Sequence, residues 1–182
     1  YTFYTYMSDY RNFAKYLNNL GYEAYIPELS KKQSDYTPYI FSDDEWRRII
    51  DAADNIKIRA CPLYSLQMPV LVRMLYGCGM RVSEALNLRV RDIDLETGIL
   101  TLLQTKNQKQ RQVPMDASLT SILRSYLVIR NLCQDDWVFH CQNHTQWNLS
   151  SVDNCFKHIL KTAEIFFSQT KAYDRGPCLH CL

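Results

Sequence analysis

The sequence predicts a mainly α protein with one small antiparallel β-sheet, an α+β arrangement, and three observations carry that expectation. Apolar residues recur at helical spacing in most segments long enough to form an element. Two helix starts bear capping signatures, Ser42-Asp43-Asp44-Glu45 and Ser150–Asp153. Between them, Ile99–Thr105 and Arg111–Met115 read as strands, joined as a hairpin by a polar turn at Lys106–Gln110.

Taken in order, residues 1–21 hold one helix, with Tyr6, Tyr10, Phe13, Tyr16, Leu17 and Leu20 at helical spacing and Gly21 as its stop. Residues 22–40 lose the period and contain Pro27, Pro38 and a polar run from Ser30 to Ser34, which reads as a linker. A second domain, residues 41–182, opens at the Ser42/Glu45 capping box, with Phe41 and Trp46 at the hydrophobic-staple positions. Residues 64–77 are apolar almost all round, which predicts a buried central helix whose Pro69 lies in the first turn or kinks it. Gly77-Cys78-Gly79 ends that helix, and a short one follows over Val82–Leu88. After the hairpin, Asp116 caps a helix that turns Leu119, Ile122, Leu123, Tyr126 and Leu127 inward. Asp136–Phe139 is a short extended piece, and the last helix presents Val152, Phe156, Ile159, Leu160 and Ala163 on one face.

The 182 residues are 47% hydrophobic and 22% charged, the balance of an ordinary globular protein. No apolar run approaches the roughly 20 residues of a membrane span, and the start, Tyr1-Thr2-Phe3-Tyr4, is no signal peptide and reads as a fragment boundary. The formal net charge of +2 excludes little, because nucleic-acid binding needs a local basic surface and not a global one. Seven cysteines without framework spacing fit reduced thiols in a cytoplasm.

Three groups of residues have the chemistry for a site. In Gly79-Met80-Arg81-Val82-Ser83-Glu84 a glycine turn sets Arg81 at a helix start, and Glu84 is placed to orient its guanidinium. Such an arginine suits a phosphate; a structural Arg–Glu pair is the alternative. Lys106, Lys109 and Arg111 cluster about the hairpin tip, either as a nucleic-acid contact or as solvated surface. Cys178-Leu179-His180-Cys181, with His140, Cys141 and His144 upstream, has poor spacing for zinc, and no metal or other cofactor is expected.

The order of these motifs resembles the tyrosine recombinase, or phage integrase, family from Phe41 onward: Gly-x-Arg-x-Ser-Glu, then Leu88, Asp92-Ile93-Asp94 and Gly98, a strand, a lysine turn ending in Arg111-Gln112-Val113-Pro114, and far downstream His180-Cys181-Leu182. The resemblance implies an incomplete recombinase catalytic domain at 41–182, a last core-binding-domain helix at 1–21 and a tether at 22–40. It further implies Arg81, Lys106 and His180 as catalytic residues, Glu84 as their support, Lys109 and Arg111 on DNA, a duplex recombination site as partner, tetrameric assembly, and metal-free transfer through a 3′-phosphotyrosyl link. The family's second arginine would be residue 183 and its nucleophilic tyrosine would come later, so the 182-residue chain is expected to be inactive alone. Two rival readings are a non-catalytic DNA-binding or inhibitory product and a helical protein-interaction module.

Overall fold

Helix starts and stops set the architecture of the computed structural model, which describes residues 2–29, 39–58, 61–104, 109–166 and 178–179. The chain forms two compact units, residues 1–36 and 37–182.

In the first unit, α1 (Thr2–Asn19) ends before Gly21, whose φ of +87° is a left-handed turn that suits glycine. The Asn18 side chain then ties the departing chain down, accepting from the Ala24 amide at 2.7 Å and donating to the Ala24 carbonyl at 3.0 Å. Arg11 donates to the Pro27 carbonyl. The aromatic residues that establish the helical period do not form a covered stripe: Tyr6, Tyr10, Phe13 and Tyr16 are all exposed, whereas Ala14 is buried.

The second unit is built around α3 (Pro62–Cys78), in which Met68, Leu71, Val72, Met74 and Leu75 are fully buried. Pro62 is pre-set for a helix start, so α3 begins earlier than the periodicity implies, and Pro69 falls in its third turn and not its first. There it costs the ladder bond to the Ser65 carbonyl. α2 (Asp43–Asp54) starts as expected: Ser42 Oγ accepts from the Glu45 amide at 3.3 Å, and the Glu45 carboxylate accepts from the Ser42 amide at 2.9 Å. Trp46 stacks on Tyr76 of α3, with ring centroids 3.7 Å apart.

α5 (Ala117–Arg130) is capped by Asp116, which accepts from the Ser118 amide at 2.8 Å, and buries Leu119, Leu123 and Tyr126. α6 (Leu149–Thr162) buries Val152, Phe156, Ile159 and Leu160. Its cap corrects the sequence reading: Asn148 accepts from the Ser150 amide at 2.7 Å, so Ser150 lies inside the first turn and Asp153 pairs with Lys157. Arg48 of α2 reaches across to the Ala163 carbonyl at 2.8 Å, closing the end of α6.

The sheet has three strands in the order β1-β2-β3, all antiparallel: β1 (Ile93–Asp94), β2 (Ile99–Gln104) and β3 (Lys109–Pro114). β1 adds to the expected hairpin. Gln104 pairs with Lys109, so Lys109 and Gln110 belong to β3 and not to the turn. Leu100 opposite Val113, and Leu102 opposite Arg111, put these four residues on one face, since direct partners in an antiparallel pair point the same way. Leu100, Leu102 and Val113 are buried, which makes that face the inner one.

The extended piece at 136–139 runs beside residues 88–90: the Val138 amide donates to Leu88 O, and the Val90 amide to Asp136 O. Val138 and Phe139 are fully buried. Trp147 is buried as well, stacked on Tyr64 with centroids 4.4 Å apart.

Candidate functional site

Gly79 ends α3 with φ +55° and ψ +36°, the left-handed geometry that lets the chain turn at once into α4 (Val82–Leu86). Met80, Val82, Ala85 and Leu86 are buried, so the apolar residues around Arg81 pin this junction to the core. Arg81 itself is extended (φ −70°, ψ 148°) and its side chain is 74% exposed. The local sequence thus delivers an anchored backbone and a solvent-facing guanidinium.

Glu84 lies one turn on, with its side chain only 8% exposed. Its Oε2 accepts from the Arg81 amide at 2.7 Å and from Arg111 Nη2 at 2.8 Å, while Oε1 lies 3.3 Å from Arg81 Nη1. Burial pulls this carboxyl upward, but the bonds from the Arg81 amide and Arg111, with the charge of both arginines, outweigh burial and hold it below the ordinary carboxylate value. Glu84 is therefore ionised at neutral pH.

The structure brings Arg81, Glu84 and Arg111 together. Arg111 sits on the inner face of the sheet, with its guanidinium on Glu84 and its Nε buried without a partner among the described residues. Sequence reading missed that contact, although period-two alternation held the signal: Arg111, Val113 and Met115 share a side, and the latter two are buried. Lys109 begins β3 opposite Gln104. Lys106 and His180 lie outside the described residues.

A second polar cluster lies at the far end of the 136–140 segment. The buried Gln67 side chain of α3 donates to the His140 carbonyl at 2.8 Å and accepts from the His140 amide at 2.9 Å. Arg130 Nη2 is 2.6 Å from His140 Nε2, and a guanidinium only donates, so Nε2 accepts. The ring proton is then on Nδ1, which donates to the Cys141 carbonyl at 2.7 Å. Burial, chiefly, with Arg130 and His144 nearby, lowers the His140 pKa; the Cys141 bond and Asp136 oppose them. With both ring nitrogens engaged, His140 has no lone pair for a metal. Among the described residues no cluster of three His, Cys, Asp or Glu side chains could hold one, and no helix is long and apolar enough to cross a membrane.

Comparison with known proteins identifies the family. The phage integrase family model matches residues 40–172. The tyrosine recombinase XerA of Pyrococcus furiosus is 33% identical over 90 residues, which are 50% of this chain and 29% of that protein. A crystal structure of XerA recombinase superposes with a TM-score of 0.64 at 25% identity, covering 96% of this chain and 56% of the other. The structure of λ integrase (residues 75–356) bound to DNA gives 0.66 at 15% identity, covering 97% and 60%, and shows the shared fold. The chain spans less than a third of the length of the XerA sequence it matches. A family match over most of the second unit, around a helical core with a small antiparallel sheet, makes this chain a member of the phage integrase family of tyrosine recombinases.

Proposed function

We propose that the chain supplies part of the strand-transfer site of a site-specific DNA recombinase. The observation that carries this reading is the Arg81 junction: a guanidinium that is 74% exposed on a backbone fixed by buried neighbours and by Glu84. Such a group is pre-positioned for a backbone phosphate and needs little reorganisation when negative charge develops on it. The bound state of λ integrase, crystallised on DNA, agrees with a duplex as partner.

In the proposed reaction a tyrosine hydroxyl attacks a backbone phosphate, forming a 3′-phosphotyrosyl ester and releasing a 5′-hydroxyl. The hydroxyl of the partner strand reverses the step, so the phosphodiester bond energy is conserved and no cofactor is required. Arg81 binds a non-bridging oxygen, Lys106 protonates the departing 5′-oxygen, and His180 donates to the phosphate or handles the nucleophile's proton. Glu84 holds Arg81. Residues 1–21 act as the last helix of a core-binding domain, 22–40 as the tether and 41–182 as the catalytic part, working as a tetramer on DNA.

On this reading, with His180 at the family's histidine position, the second arginine and the tyrosine fall after residue 182. The test is a nicked suicide duplex carrying a recombination site, followed by denaturing electrophoresis. The 182-residue polypeptide should yield no covalent adduct, and the same polypeptide extended with the matching C-terminal segment of XerA should yield one. An adduct formed by the 182 residues alone, mapped to one of their tyrosines, would overturn this assignment of the nucleophile.

A further inference from the structure

Glu84 serves two guanidinium groups, and it serves them unequally. Oε2 is 2.8 Å from Arg111 Nη2, whereas the carboxylate meets the Arg81 guanidinium at 3.3 Å and binds Arg81 more closely through its backbone amide, at 2.7 Å. The exposures follow the same order: 8% for Glu84, 37% for Arg111 and 74% for Arg81. One carboxylate between two cations leaves a net charge of +1 on the three residues, and the exposed member is Arg81.

We propose that Arg111 is a positioning residue for the phosphate site. Its guanidinium takes up the charge of Glu84, so that Arg81, held by the same carboxylate, keeps its own charge for a phosphodiester. The inference rests on the phosphate-binding role of Arg81 stated above. Without Arg111, Glu84 and Arg81 form an isolated pair of zero net charge, and an approaching phosphate meets a carboxylate that competes for the same donors. The strand register supports a supporting role over a direct contact. Arg111 lies opposite buried Leu102 and on the same side as buried Val113, so its stem runs along the inner face of the sheet. A lysine would keep the charge there but lose the planar fork.

The test uses the 182-residue chain, with the Nε–Hε resonances of its arginines followed by NMR during titration with a short DNA duplex at low salt. In the wild type the Arg81 resonance should move with the duplex. Arg111→Gln should weaken the affinity read at Arg81 about fivefold. The double variant Glu84→Gln/Arg111→Gln should return it to within about twofold of wild type, because the uncompensated carboxylate is gone. Arg111→Lys should stay near wild type. A double variant as weak as Arg111→Gln, with a salt dependence shallower by about one counterion, would show that Arg111 touches phosphate itself and overturn the proposal. So would an Arg111→Gln variant that melts earlier yet binds at Arg81 as the wild type does, since its role would then be structural. An Arg81 resonance indifferent to the duplex in the wild type would sink the underlying assignment of Arg81, which the variants' behaviour distinguishes from failure of the Arg111 proposal alone.

Discussion

Two arginine-centred clusters in the second unit are solved in opposite ways. At the α3–α4 junction, two guanidinium groups share a buried carboxylate, and one of them, Arg81, faces solvent. At the 136–140 segment, Arg130 has no ion pair among the described residues and leans on a neutral imidazole, while Gln67 matches both polar groups of the His140 backbone. The first arrangement keeps charge available at the surface. The second uses polarity to fix a buried crossing, where unpaired groups would be costly. A guanidinium thus becomes a candidate for anion binding through compensation beneath it and exposure above it, and the arginine alone carries no such information.

If the second cluster is structural, its disruption should give the largest loss of stability. Gln67→Ala strands the His140 amide and carbonyl in a buried site and leaves a void against α3. We expect a loss of about 3 kcal/mol in denaturant unfolding. A loss below about 1 kcal/mol would mean that water enters and satisfies the segment.

Glu84→Ala should cost less, about 2 kcal/mol at pH 7, because it removes charge-assisted bonds that are only partly shielded. The sign with pH is fixed by the depressed carboxyl. A group whose folded pKa lies below its unfolded value stabilises fully above that unfolded value, and the contribution fades as pH falls through the folded pKa. The gap between wild type and variant should therefore be constant from neutrality to about pH 5 and close in stronger acid. A gap independent of pH would mean that the side chain acts by packing and not by charge.

A smaller and differently placed effect is expected at His140. Its pKa is lowered in the fold, so protons bind the unfolded chain more readily, and stability should begin to fall as pH drops below about 6.5. The groups facing the ring are Arg130, His144, Asp136 and the Cys141 carbonyl, and the Arg130 guanidinium cannot accept the added proton. His140→Gln should remove that part of the pH slope. Unfolding midpoints with identical slopes for both proteins between pH 7 and 5 would refute the neutral tautomer.

How much of this was legible in the sequence depended on the range of the interaction. The Ser42/Glu45 box, the Asp116 cap and the Gly79 stop are decided within a few residues, and they read correctly because the chemistry is local. Asn148 displaced the expected Ser150 cap because both lie before the same apolar face, and periodicity does not choose between neighbouring caps. β1 is two residues long, too short for an alternating pattern, and exists because β2 offers it an edge. The Arg81–Glu84 contact was readable from three-residue spacing, whereas Arg111 reaches Glu84 only once the sheet packs on α4. The Gln67–His140 bridge joins residues 73 positions apart and has no local signature.

The smallest expected effect on stability is also the sharpest test of the contrast. Arg81 exposes 74% of its side chain, and its longest contact is the one its guanidinium makes with Glu84, at 3.3 Å. The bond that fixes its backbone comes from the amide, which any residue retains. Arg81→Ala should therefore change unfolding free energy by less than about 0.5 kcal/mol, the usual range for a surface ion pair. If Arg81 serves a phosphate, the same change should weaken duplex binding modestly and reduce the slope of log affinity against log salt by about one. Binding by the wild type is itself expected to be weak and strongly salt-dependent. Thermal melts of both proteins and a salt series of fluorescence-anisotropy titrations measure the two quantities independently. A variant that melts several degrees lower yet binds DNA with an unchanged slope would make Arg81 a structural residue like Arg130, and the contrast between the clusters would disappear.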